Sequence, residues 1–335
     1  MILHAGMLAL IVGTTIVLAM VLYACWLGVR ILRRWDAGSS SEEQLRLERS
    51  TFLVSSIAST TLGFQAASLL LFLYTIDDIH GLFVGAMCAT GSLNASSGGW
   101  AVLGIKIVLL FLSVIWIVLH RLDQRAGDFP IVRIKYLGLL VLAPLVATDL
   151  LLQIRYFTGL RPQIITSCCG ALFSEGGTTL ASEVAGLPVR PMLWSLYLGI
   201  GLFTALCLAG LLASSRFLRY ALAVVSFSML FVSLGSIVSF LSLYIYQLPT
   251  HHCPFDMIQK QYSFIGYPIY LSLFAAVSFG LLPGLLFPLR RIPSMAPLVV
   301  AAEPRWLILG MVSMLTFTVV VSWPVVFGEL SLVGY

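Results

Sequence analysis

The sequence predicts an all-α integral membrane protein of about eight transmembrane helices, and its composition and hydropathy carry that prediction. Of the 335 residues, 59% are hydrophobic and only 10% are charged, whereas water-soluble domains carry about 25% charged residues. The mean hydropathy is +1.01. No polar stretch is long enough to bury a core of its own, so residues 1–335 are predicted to form a single transmembrane domain.

The number of predicted helices follows from apolar runs that are each about as long as a membrane span. A helix needs about 20 mostly apolar residues to cross the hydrocarbon layer. The predicted spans cover residues 6–29, 52–75, 101–120, 136–157, 191–213, 219–246, 264–288 and 305–328. In the first span the basic residues follow the apolar run, which favours a retained helix over a cleaved signal peptide.

Lys and Arg residues predict the orientation, because short connections rich in these residues stay in the cytoplasm. Fourteen of them lie on the side reached after spans one, three, five and seven, and four lie on the opposite side. Both termini are therefore predicted to face outward. We expect a bacterial inner membrane protein whose outward loops face the periplasm.

Charge and motifs exclude several classes of partner. The net charge of +5 comes from residues at the predicted cytoplasmic membrane borders, where topology already accounts for them. No phosphate-binding GxxxxGK[ST] or GxGxxG motif is present. We expect contacts with the lipid bilayer and with an extracytoplasmic protein or a larger membrane complex, but with neither nucleic acid nor nucleotide.

Candidate functional residues concentrate in three predicted outward loops, 76–100, 158–190 and 247–263. These loops contain four cysteines and an adjacent histidine pair: Cys88, Cys168, Cys169, Cys253, His251 and His252. The outer compartment is oxidising, so thiols there are usually paired, bound to metal or oxidised. We expect these side chains to converge above the membrane.

A structural disulfide framework is one interpretation of the cysteines. It would join Cys88 to Cys253, with one member of the Cys168–Cys169 pair left over or paired in strain. The protein would then be a non-catalytic subunit of a larger complex or transporter.

A soft-metal site is the second interpretation. Thiolate, imidazole and thioether ligands prefer copper(I), zinc and related ions. Cys88, Cys168, Cys169, His251, His252 and Cys253 are the candidate ligands, and Met87 and Met257 lie next to cysteines. The thioethers favour copper as the cofactor, although the spacing matches no compact zinc motif.

Thiol exchange is the third interpretation. The sequence Cys253-Pro-Phe-Asp256 is one substitution from CPxC, and Cys253, Cys168, Cys169 and Cys88 are the candidate catalytic residues. The sequence thus predicts handling of a soft metal or of thiol-borne electrons, during delivery to or maturation of an extracytoplasmic protein. It does not decide whether the protein is an enzyme.

A second candidate functional site is a pair of charged residues inside the predicted spans. Lys106 and Asp149 each lie about two turns in from the outer end of a span. An ionisable group at that depth is costly unless it is paired. We therefore predict that the two side chains form an intramembrane ion pair, which either packs helices or takes part in a proton or ion step.

Overall fold

The computed structural model describes residues 4–35, 41–161 and 180–330 of the chain. These residues are helical with no β-strand, and eight of their helices are long and apolar enough to cross a membrane. The prediction of an all-α membrane protein is confirmed. Cys168 and Cys169 lie outside the described residues.

The described residues form eight long and three short α-helices. The long ones are α1 (Ala5–Arg34), α2 (Glu42–Asp78), α4 (Gly99–Ala126), α5 (Val132–Gly159), α7 (Val189–Leu212), α8 (Arg216–Ser236), α10 (Gly266–Leu285) and α11 (Ala296–Phe327). Three short ones are α3 (Ala89–Asn94), α6 (Leu180–Ala185) and α9 (Ser242–Tyr246). A π-helical segment, Ile237–Leu241, joins α8 to α9.

Several helices extend beyond the apolar runs that predicted them. Helix α2 begins at Glu42, although the apolar run begins at residue 52. Its first turns carry an Arg46–Glu42 ion pair one helical turn apart, which supports helix outside the hydrocarbon layer. Hydrophobicity alone detects only the central part of such a helix.

The chain divides into two compact units. The first takes the described residues up to Ile76, Leu93–Arg161 and Leu289–Val299, and contains α1, most of α2, α4 and α5. Helix α1 buries residues at intervals of three or four along one face and packs on α5. At Gly28 an added Cβ would lie 2.8 Å from Tyr136, so glycine allows the two helices to approach closely.

The second unit takes Asp77–Ser92, the described residues from Leu180 to Pro288, and residues from Val300 onward. Helix α8 packs on α7 and α10 within it. Gly280 and Gly284 form a GxxxG pattern, and a Cβ at Gly280 would lie 2.2 Å from Ser226 Oγ. Arg219 on α8 also pairs with Glu303 on α11 at 2.5 Å, with both side chains buried.

The end of α9 positions the loop that carries Cys253. Gln247 adopts a left-handed backbone conformation with φ of 55° and ends the helix at Tyr246. The chain then passes through short 3₁₀ turns at Asp256–Ile258 and Lys260–Tyr262 before α10 begins at Gly266. This loop and the Asp77–Ser92 segment belong to the same compact unit.

Candidate functional site

Cys88, Cys253 and Asp256 lie together in the second unit, and we call these three residues the thiol cluster. The two Sγ atoms and a carboxylate oxygen of Asp256 all lie within 4.8 Å of one another. The Sγ atoms of the two cysteines are 3.4 Å apart, and Cys253 Sγ donates to Asp256 Oδ1 at 3.2 Å. All three side chains are buried.

The two cysteines are thiols in contact rather than a disulfide. A disulfide bond is about 2.05 Å long, and no disulfide is present among the described residues. Thr90 Oγ1 lies 3.5 Å from Cys253 Sγ, and the backbone N–H of Phe255 donates to the same sulfur at 3.4 Å. Cys253 therefore has polar neighbours on several sides.

Two buried tyrosines hold the backbone of the Cys253 turn. The Tyr246 hydroxyl donates to the carbonyl of Cys253 at 2.6 Å and accepts from the N–H of Met257 at 2.8 Å. The Tyr270 hydroxyl donates to the carbonyl of Pro254 at 2.5 Å. These bonds fix the turn that places Cys253 and Asp256 on one side, three residues apart.

Gln259 ties the two loop segments of the cluster to each other. Its side-chain amide donates to Asp77 Oδ1 and to the carbonyl of Met87, each at 3.0 Å. Met87 directly precedes Cys88 in the chain. The Gln259 amide therefore fixes the Cys88 backbone against the loop that carries Cys253.

His251 contacts the cluster through Asp256. Its Nε2 makes a short hydrogen bond to Asp256 Oδ2, so the carboxylate lies between the imidazole and the Cys253 thiol. This hydrogen bond raises the pKa of His251. Burial raises the pKa of the Asp256 carboxyl, while the bond to His251 opposes that shift. The pair can share a proton next to Cys253.

His252 has a different role from its neighbour. Its Nδ1–H donates to the carbonyl of Val238 at 2.9 Å. Val238 lies in the π-helical segment, where wider helical turns disturb the usual pattern of backbone hydrogen bonds. His252 therefore anchors the loop to this segment.

Three further side chains of these loops belong to His80, Met87 and Met257. His80 Nδ1 makes a short hydrogen bond to the Asp77 carbonyl. Met87 has an exposed side chain, and Met257 packs beside Gly266 at the start of α10. The thioethers that favoured copper in the sequence are thus an exposed side chain and a buried packing residue.

Asp256 is the cluster residue that the ligand prediction missed. Its signal in the sequence is the Cys253-x-x-Asp256 spacing, which a tight turn brings to one side. Thr90, Tyr246 and Gln259 carry no comparable signal, because their roles depend on contacts between segments far apart in the chain.

Lys106 and Asp149 meet in the first unit. Lys106 Nζ lies 3.2 Å from Asp149 Oδ2, and neither side chain is exposed. Lys106 Nζ also donates to Ser68 Oγ at 3.0 Å, and Gln65 Nε2 donates to Asp149 Oδ2 at 2.8 Å. A buried polar network therefore surrounds the ion pair.

No family model, curated protein or solved structure matches this chain. Fold and site together define the class of protein: a polytopic helical membrane protein with a buried cluster of two thiols and a carboxylate.

Proposed function

We propose that the thiol cluster binds a thiophilic metal ion and that the protein handles this ion in delivery to, or maturation of, an extracytoplasmic protein. One observation carries the proposal: three donor atoms from two distant segments lie within 4.8 Å of one another in a buried site. Ligands of a single ion have mutual distances of this size. Random loop packing seldom buries two thiols and a carboxylate together.

The donor set bears on the choice of metal. A tetrahedral zinc ion with Zn–S bonds of about 2.3 Å holds its two sulfurs about 3.8 Å apart, close to the 3.4 Å between Cys88 and Cys253. Two thiolates suit both copper(I) and zinc(II), whereas a carboxylate is a common zinc ligand and suits copper(I) poorly. The presence of Asp256 therefore moves our preference from copper to zinc.

His251 supports this interpretation as a partner of the ligand Asp256. Carboxylate ligands of metal ions are usually hydrogen-bonded in turn, and that bond orients the ligand. His251 contributes such a bond to Asp256 Oδ2 while Oδ1 faces Cys253. On metal binding, the ion would replace the Cys253 thiol proton that Asp256 now accepts.

Reversible dithiol chemistry is the second candidate function, favoured by the 3.4 Å contact between the sulfurs. Cys88 and Cys253 would lose two protons and two electrons and form a disulfide, while a disulfide of an extracytoplasmic protein is reduced to two thiols. Both cysteines are at most 1% exposed. A protein disulfide could reach them only after the loop opens, so we place this candidate second.

We also propose where in the cell the protein acts. The Lys and Arg distribution supports a bacterial inner membrane orientation with the thiol cluster on the periplasmic side. Metal or electrons handled there would pass to periplasmic proteins rather than cytoplasmic ones. The competing role is a subunit of a larger membrane complex in which Cys88 and Cys253 form a structural disulfide.

Metal analysis of the purified full-length protein under reducing conditions tests the proposal. Wild type, offered zinc(II) and copper(I) separately, is expected to retain about one ion per chain. The variants C88S, C253S and D256N should lose it, and C25A, which removes a thiol in α1, should not. The double variant C168S/C169S tests whether those residues add ligands.

The outcomes separate the candidates. Equal metal content in wild type and C253S would refute the metal site. A Cys88–Cys253 disulfide that persists in every preparation would favour the structural subunit. A mixture of reduced and oxidised chains that responds to added disulfides would favour thiol exchange.

A further inference from the structure

The first unit contains a buried polar network whose hydrogen bonding is incomplete. Asp149 Oδ1, Gln65 Oε1 and Gln153 Oε1 are buried and accept no hydrogen bond from any described residue. Gln65 donates to Asp149 through its Nε2, and Gln153 follows Asp149 by one turn on the same face of α5. All three atoms are oxygen acceptors: one is on Asp149, one is on the Gln65 amide that bonds to Asp149, and one is on Gln153, whose Nε2 donates to Thr14 Oγ1 at 3.1 Å.

A second ion pair in the same unit provides an internal comparison. Lys135 Nζ donates to Asp123 Oδ2 at 2.7 Å, and the N–H of Ile131 donates to Asp123 Oδ1 at 3.2 Å. Both oxygens of Asp123 are satisfied, as expected of a pair that only packs helices. Asp149 has both of its bonds on Oδ2, and none of the residues that the structure describes donates to its Oδ1.

The chemistry of the three acceptor oxygens indicates which kind of ligand they would bind. Unsatisfied polar atoms at membrane depth are costly, and a ligand bound by these three acceptors would remove that cost. The available atoms are oxygens without donors, and such atoms coordinate a hard cation such as Na⁺. Ionisable residues inside spans commonly mark ion or proton sites.

Charge balance determines how such a cation would enter. Lys106 and Asp149 form a neutral pair with fully buried side chains. Adding a cation would leave one net positive charge in a low-dielectric interior, which is strongly unfavourable. If Lys106 releases its proton as the cation binds, the charge of the site is unchanged.

We propose that Asp149, Gln65 and Gln153 form a monovalent cation site, and that Na⁺ and the Lys106 proton compete for Asp149. One Na⁺ enters as one proton leaves the Lys106 ammonium, whose nitrogen becomes a neutral amine. Ser68, which now accepts from Lys106 Nζ, remains its hydrogen-bond partner. This site uses none of the residues of the thiol cluster and stands independently of the metal proposal.

Binding of ²²Na⁺ to the purified full-length protein, together with a pH-indicator dye, tests the site. Wild type is expected to bind Na⁺ saturably and to release about one proton per ion, and its affinity should rise with pH. D149N should abolish binding. In K106Q the buried Asp149 carboxyl has lost its cationic partner and holds a proton, so Na⁺ binding should release that proton and its pH dependence should differ from that of wild type. E43Q, which changes an exposed carboxylate of the same unit, should behave as wild type.

Removing single acceptors keeps the test valid if D149N fails to fold. Q65L removes an acceptor and the donor bond to Asp149 Oδ2, and Q153L removes an acceptor and the donor bond to Thr14. Both leave the Lys106–Asp149 pair in place and should weaken Na⁺ binding by about tenfold. The proposal is overturned if wild type binds no Na⁺ saturably, if binding is unchanged in D149N, or if wild type binds Na⁺ without releasing protons.

Discussion

Cys88 and Cys253 are 165 positions apart in the chain, yet their Sγ atoms are in contact at 3.4 Å. Three side chains support this contact through hydrogen bonds to the backbone. The Tyr246 and Tyr270 hydroxyls hold the Cys253 turn, and the Gln259 amide holds the segment before Cys88. Since both cysteines belong to one compact unit, the contact is a property of that unit alone.

We predict that mild oxidation joins Cys88 to Cys253 within one chain. Only a small movement is needed to bring these two sulfurs to bonding distance, whereas Cys25 and Cys207 lie within the membrane-spanning helices α1 and α7. Mass spectrometry of unreduced peptides should show the 88–253 link as the main product among these four cysteines. Bound zinc should protect the pair from oxidation. A dominant link from Cys25 or Cys207 to either residue would contradict the described geometry.

The adjacent histidines should give opposite results when each is replaced. His251 bonds to the proposed ligand Asp256, so H251A should weaken metal binding by about 10- to 100-fold. His252 bonds to a backbone carbonyl of the π-helical segment, so H252A should lower thermal stability with little effect on metal affinity. Metal titration and thermal unfolding on the same samples separate the two effects. Equal loss of metal affinity in both variants would make His252 a ligand as well.

The sequence was sufficient for the fold and for part of the site. Eight long apolar runs identify the spans, because the requirement to cross hydrocarbon is simple and local. The charge pattern placed Cys88 and Cys253 in loops predicted to face one side. Which sulfurs meet could not be deduced, since that depends on hydrogen bonds from Gln259 and Tyr246, and single polar residues leave no periodic pattern.

His252 illustrates a second limit of the sequence. Two neighbouring histidines beside a cysteine looked equivalent as ligands, but one bonds to Asp256 and the other to Val238. Val238 belongs to the π-helical segment at Ile237–Leu241, which a hydrophobic pattern does not distinguish from ordinary α-helix. The ion pair of Lys106 and Asp149 was easier to predict from the sequence, because opposite charges buried at similar depth have few alternatives to pairing with each other.

The buried ion pair of Asp123 should contribute strongly to the free energy of unfolding. An exposed carboxylate that also forms an ion pair should not. D123N removes the charge that neutralises the buried Lys135 ammonium, and loss of one partner of a buried pair costs about 3–5 kcal/mol. E43Q breaks the exposed Arg34–Glu43 pair and should cause no measurable change, because solvent screens such pairs. Thermal unfolding in detergent, followed by tryptophan fluorescence, compares the variants. Similar midpoints for D123N and wild type would contradict the described burial of the pair.

The proposed orientation predicts which loops can be labelled from outside intact cells. Gly81 lies in an exposed turn where an added Cβ meets no atom within 4 Å, so G81C should be tolerated. Asp128 lies in the exposed connection between α4 and α5, on the predicted cytoplasmic side. A membrane-impermeant maleimide should label G81C in intact cells and D128C only after the membrane is opened. Both substitutions are made in C168S/C169S, which removes two thiols of a predicted outward loop, and this parent, whose Cys88 and Cys253 are buried, sets the background. The reverse labelling pattern would place the thiol cluster in the cytoplasm and remove the periplasmic role proposed for it.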